Sequence, residues 1–103
     1  MTPICFQILL ALADRDRHGI GIMTEVLERT DGAMKLWPAM LYRNLQKLAA
    51  EGLIAEVPAP AAQAGSPRYF RLTAAGKREC AAEAKRLAGF VDAARAKRLL
   101  KRH

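Results

Sequence analysis

The residues of this chain able to carry chemistry are few, and their spacing argues against catalysis. His18 is the first: an imidazole can move a proton or hold a metal ion, but either task needs partners nearby. The other histidine, His103, is the last residue, and the two cysteines, Cys5 and Cys80, stand far apart and form no Cys-x-x-Cys or Cys/His cluster. Neither a metal site nor a disulfide framework is indicated. No carboxylate pair, no nucleophile with an adjacent base and no glycine-rich phosphate loop occurs in the sequence. The chain therefore reads as a non-enzyme with no metal and no cofactor, and His18 as the anchor of a loop. For the cysteines, two small buried apolar side chains are the simpler reading, and a redox-sensing thiol pair is the alternative.

Positive charge is what the sequence has in quantity. The net charge is +7, and it is unevenly placed. Residues 1–34 carry three bases (Arg15, Arg17, Arg29) against five acids, a balance of −2, whereas residues 35–103 carry fourteen bases against five acids, a balance of +9. Basic charge confined to one part of a chain points to a polyanion partner, a nucleic acid or an anionic membrane. Charge alone does not choose between them.

The elements that must position these charges follow from periodicity and punctuation. At 103 residues, 51% hydrophobic and 26% charged, the chain has the composition of one ordinary domain with a modest core. Thr2-Pro3 opens a first helix over Thr2–Ala13, with a hydroxyl cap and a proline at the first helical position. Arg15–Gly19 breaks it. A second amphipathic run places Ile22, Met23, Val26 and Leu27 on one side and ends at Thr30-Asp31-Gly32. A third helix, Pro38–Glu51, buries Leu41, Leu45 and Leu48 and turns Ala39, Arg43, Gln46 and Lys47 the other way, with Asn44 at the boundary. Gly52 stops it. Leu53–Val57 and Tyr69–Leu72 read as strands joined by the Pro/Ala/Gly-rich loop Pro58–Pro67. Thr73 then caps a last helix, Thr73–Leu100, with Cys80, Ala84, Leu87, Val91 and Ala94 along it. Three helices, a β-hairpin and a long helix make a mainly α fold: a winged helix-turn-helix over residues 1–72, with a C-terminal helix over 73–103 in the same compact unit.

Several stretches, in this order, resemble the PadR family of bacterial transcriptional regulators in its compact form with one C-terminal helix. They are Ile8-Leu9-Leu10-Ala11-Leu12, His18-Gly19-Ile20-Gly21-Ile22-Met23, Pro38-Ala39-Met40-Leu41-Tyr42-Arg43-Asn44-Leu45, Glu51-Gly52-Leu53-Ile54 and Arg68-Tyr69-Phe70-Arg71-Leu72-Thr73-Ala74-Ala75-Gly76. The third is close to the family's Pro-x-x-Leu-Tyr pattern. Trp37 and Met40 stand where the family usually has Ser and Thr, Ile20 replaces an aromatic residue, and the wing has no charge between Pro58 and Pro67. No operator sequence can be carried over.

The resemblance implies a sequence-specific DNA-binding regulator, more often a repressor, acting as a homodimer on an inverted repeat of double-stranded DNA. Candidate DNA contacts are Trp37, Met40, Arg43, Asn44, Gln46 and Lys47 on and beside the third helix, with Arg68 and Arg71 on the wing. Tyr42 is expected to pack behind the third helix. For Trp37, stapling the second helix to the hairpin is preferred over leaning on a phosphate or a base. The dimer interface is expected at Ile4, Ile8, Ala84, Leu87, Phe90, Val91 and Ala94, because a 28-residue helix of about 42 Å outruns a domain about 30 Å across. A protein-interaction module without DNA of its own is the alternative function, and a small-molecule effector between subunits would modify the first. A membrane-surface helix is disfavoured, since the apolar face is largely alanine. Ile4–Ala13 makes a poor signal peptide, interrupted by Gln7 and followed by Asp14-Arg15-Asp16-Arg17, and no apolar run approaches the ~20 residues of a membrane span. A cytoplasmic protein is expected.

Overall fold

Helix α1 (Pro3–Ala11) starts where the Thr-Pro pair places it. The Thr2 hydroxyl accepts a hydrogen bond from the Cys5 N–H at 3.1 Å, and Pro3 occupies a position whose N–H would have no partner. The helix ends two residues before the expected Ala13. Arg17 folds back so that its Nε donates to the Ala11 carbonyl at 2.7 Å, satisfying one of the last open acceptors. The computed structural model describes residues 1–60 and 68–101. The tip of the expected hairpin loop, 61–67, and the reading of His103 lie outside the described residues.

A short strand that the periodicity does not reveal follows α1. β1 (Arg17–His18) pairs antiparallel with β3 (Tyr69–Leu72), Arg17 opposite Phe70 and His18 opposite Tyr69. β2 (Ile54–Val57) lies on the other side of β3, with Ile54 opposite Leu72 and Val57 opposite Tyr69. The sheet is thus three-stranded, in the order β1-β3-β2. His18 has the anchoring role expected of it. Its Nδ1 accepts the Gly21 N–H at 3.0 Å and caps α2 (Gly19–Arg29), while its ring meets Tyr69 edge-on at 5.3 Å.

Helix α3 (Pro38–Ala50) begins without a side-chain cap, as the loss of the serine implies, and Pro38 sets its first turn. It ends in a Schellman motif. Gly52 takes φ +75°, and the Leu53 N–H reaches the Leu48 carbonyl at 3.0 Å. Helix α4 (Ala74–Ala96) is capped by Thr73, whose hydroxyl accepts from the Gly76 N–H at 3.0 Å and donates to the Gly52 carbonyl at 2.6 Å. It is shorter than the expected run to Leu100. Arg98 adopts φ +62°, and the Leu99 N–H closes onto the Ala94 carbonyl at 2.9 Å.

The core draws Cys5, Ile8, Leu9, Ala11 and Leu12 from around α1, Ile22 and Val26 from α2, and Leu41, Leu45 and Leu48 from α3, with Leu36, Ile54, Phe70 and Cys80 completing it. Each buried leucine stabilises the fold by about 1.5–3 kcal/mol relative to exposure. Beyond Cys80, α4 buries nothing fully. Its far half projects from the body, and the molecule measures 54 × 27 × 23 Å.

Candidate nucleic-acid interface

At 100° per residue, the stripe Leu41, Leu45 and Leu48 holds α3 to the core, and the opposite side is Ala39, Arg43, Gln46, Lys47 and Ala50, all exposed. Among the described residues, neither Arg43 nor Lys47 is in an ion pair. Two cations and an amide therefore stand on a helix about 20 Å long, between two alanines that keep the surface low. A helix of this shape fits the major groove, where arginine can read guanine and lysine can hold phosphate.

The structure brings only part of the expected set onto this face. Met40 is half-buried and packs against the core. Asn44 is turned toward α1: its Nδ2 donates to the Met40 carbonyl at 2.8 Å, and its Oδ1 accepts from the Cys5 thiol at 3.5 Å. Both residues lie on the α1 flank of the leucine stripe rather than opposite it. Trp37 is corrected the other way. It is 59% exposed instead of packed, because the extended backbone at the head of α3 sends Leu36 inward and Trp37 outward. Lys35 Nζ sits 4.5 Å from the centre of its ring, a cation–π contact that adds a positive group beside the helix start. Tyr42 packs against the beginning of α2, where a Cβ on Gly19 would lie 2.5 Å from its hydroxyl oxygen.

The two wing arginines part company. Arg68 shares a strand face with Phe70, its guanidinium 5.9 Å from the ring centre. It donates to one oxygen of Glu56 through Nε at 3.0 Å and Nη2 at 2.6 Å. That hydrogen bond holds the Glu56 carboxyl below the usual carboxylate range. A groove of about 310 Å³ separates the wing from α3, lined by Tyr42, Leu45, Gln46, Ala49, Glu56, Arg68 and Phe70. Arg71 does not join it. It lies on the opposite strand face, paired bidentately with Asp16 at 3.1 and 2.8 Å. Sequence reasoning singles out neither Lys35 nor Glu56; hairpin pairing, with Glu56 opposite Phe70, is the signal that would have placed Glu56 diagonal to Arg68.

A second surface lies on α4. Gly76 and Cys80 are buried against the body, but beyond them Ala84, Leu87, Phe90, Val91 and Ala94 are only partly covered or exposed; Phe90 is 59% exposed and Val91 38%. Ile4 is half-buried at the edge of the core. Ile8 is fully buried, because α2 and α4 both pack on α1, so it belongs to the chain's own core and not to a surface. Cys5 and Cys80 are both buried, and burial pushes the Cys80 thiol up. Among the described residues no group of three His, Cys, Asp or Glu could hold a metal, and no helix is long and apolar enough to cross a membrane.

A family model described as the transcriptional regulator PadR-like family matches residues 8–82, from α1 into α4. The chain belongs to the PadR-like family. It is therefore grouped with transcriptional regulators and not with a family of enzymes. Uncharacterized protein X of Lysinibacillus sphaericus is 30% identical over 70 residues, which is 68% of this chain and 64% of that protein. The match thus spans less than two-thirds of that relative's length. The PadR winged helix recurs in solved structures. A PadR family transcription regulator from Clostridium difficile R20291 superposes with a TM-score of 0.79 at 21% identity, over 92% of this chain and 97% of that one. Bacillus subtilis PadR in complex with operator DNA gives 0.68 at 24% identity, over 78% of this chain and 45% of that one. H. salinarum RosR gives 0.70 at 26% identity, over 96% and 86%. The winged helix-turn-helix expected from the sequence is the fold observed.

Proposed function

We propose that this PadR-like chain is a non-enzymatic, cytoplasmic, sequence-specific DNA-binding regulator, a repressor in its default role, acting as a homodimer on an inverted repeat. The observation that carries the reading is the outward face of α3, where Arg43, Gln46 and Lys47 stand exposed between Ala39 and Ala50, the two cations in no ion pair among the described residues. In this reading residues 1–72 bind DNA and 73–103 dimerise. Arg43 makes the base contact, Lys47 and Arg68 hold phosphates, and Trp37 with Lys35 marks the entry of α3. Two copies would cover each other's Leu87, Phe90 and Val91, and the paired readers would then meet half-sites about one turn, ~10 bp, apart. A small-molecule effector bound between such paired helices would act by changing their spacing.

The sequence holds a single tryptophan, and its exposed place at the head of α3 supplies the test. Trp37 fluorescence should change when an inverted-repeat duplex is added, and less so with a scrambled duplex. Affinity should fall steeply as salt rises, because each phosphate neutralised releases counterions. No change with either duplex, or binding flat in salt, would favour a protein-interaction module instead.

A further inference from the structure

We propose that Glu56 limits the wing's grip on DNA by holding, in the free protein, the guanidinium of Arg68 that a phosphate takes in the complex. The inference rests on the DNA reading above and concerns a residue outside its contact list. A carboxylate and a phosphate oxygen accept the same guanidinium donors, so Glu56 is a built-in stand-in for the backbone of the duplex. The geometry suits an exchange. Both Arg68 donors converge on one Glu56 oxygen, at 3.0 and 2.6 Å. The pair is open to solvent and faces the groove beside Gln46. Exposed pairs of this kind hold weakly, so a phosphate delivered close to the wing displaces Glu56 with little loss.

The pairing also makes the wing a poor attractor at a distance. Arg68 is offset by Glu56 and Arg71 by Asp16, so on this side of the molecule long-range attraction falls to α3, whose Arg43 and Lys47 are in no ion pair among the described residues, and to Lys35 beside its start. Arg68 contributes only once α3 has brought a phosphate into the groove. A loosely seated, non-specific complex does not gain that contact. Glu56 thereby favours the seated complex over the loose one and sets specificity without touching a base.

The test uses the full-length protein and two fluorescein-labelled 24-bp duplexes, one of random sequence and one inverted repeat enriched by the protein itself from a random pool. Anisotropy is read across a salt series. Glu56→Gln should tighten the random duplex roughly 3–10-fold and steepen its log–log salt slope by about 0.9, one extra phosphate. The enriched duplex should tighten less, so discrimination falls. In an Arg68→Ala background the gain should shrink to less than about 2-fold, and Glu51→Gln, the same charge change at the end of α3, should also give less than about 2-fold. Equal tightening by Glu51→Gln, or a gain that survives Arg68→Ala, overturns the exchange in favour of simple net charge. Parent-like binding by Glu56→Gln overturns this proposal alone. A parent that enriches and binds no duplex overturns the DNA reading and this proposal with it.

Discussion

Gly76 lies so close to Leu53 that a Cβ built on it would stand 1.9 Å from the Leu53 carbonyl oxygen and 2.7 Å from a methyl of Leu72. The carbonyl cannot retreat, since it accepts the Thr73 N–H at 3.1 Å at the corner between α3 and β2. Gly76→Ala should therefore destabilise the fold by roughly 2–3 kcal/mol, the cost of overpacking against fixed backbone. Gly89, on the opposite side of α4, has nothing within 4 Å of its would-be Cβ. Gly89→Ala should stabilise by about 0.5–1 kcal/mol through helix propensity. Urea denaturation of both variants checks the contrast; a Gly76→Ala variant as stable as the parent or more so would refute the close contact.

Arg43 and Arg68 should separate reading from gripping. Arg43→Ala is expected to cost roughly 1–3 kcal/mol at an operator and less on random DNA, if it contacts a base. Arg68→Ala should weaken the operator and flatten its salt slope by about 0.9, one phosphate contact fewer, while changing random DNA less, because Glu56 keeps Arg68 out of the loose complex. Parent-like affinity in both variants would move the DNA face elsewhere.

Dimerisation should rest on the far half of α4. Leu87→Asp with Val91→Asp puts charges into the stripe that one protomer leaves uncovered, and twofold symmetry counts each change twice. Sedimentation should show monomers, and operator affinity should collapse although neither residue is near α3. A double variant that remains dimeric would place the interface off α4.

The thiols should be protected in the folded protein. Cys5 and Cys80 are both buried, and burial raises the Cys80 pKa above its ordinary value of 9.0, which lowers the reactive thiolate fraction at neutral pH. Because the charged form is disfavoured when folded, stability should fall as pH climbs past that ordinary value. Ellman's reagent at pH 7.5 should react slowly until denaturant is added. Rapid native reaction at both sites would revive the redox-pair reading.

Local signals made most of the architecture legible. The Thr2-Pro3 start of α1, the Leu41–Leu45–Leu48 stripe, Gly52 as a stop and Thr73 as a cap all depend on near neighbours in the chain. What was not legible depends on distant ones. Asn44 turns to Cys5, and Arg71 to Asp16 across 55 residues; nothing in their own segments announces those partners. Helix α1 carries Ile4, Phe6, Ile8, Leu9 and Leu10, so apolar around its girth that only the packing of α2 and α4 shows Ile8 to lie inward, with Leu9, and not at the surface with Ile4. β1 is two residues long with no alternation to read, and α4 ends on a left-handed arginine where a glycine would have signalled the stop.

The tight seat of Gly76 also makes α4 a lever. Its base is clamped at Gly76 between Leu53 and Leu72, while its last residue, Ala96, lies about 30 Å away along a stiff helix. A tilt of about 5° at the clamp carries Ala96 through about 3 Å, roughly the rise of one base pair. The angle at which α4 leaves the body is thus a coarse adjustment of reach for anything attached to its tip, and substitutions at the clamp would change that reach far more than substitutions along the shaft.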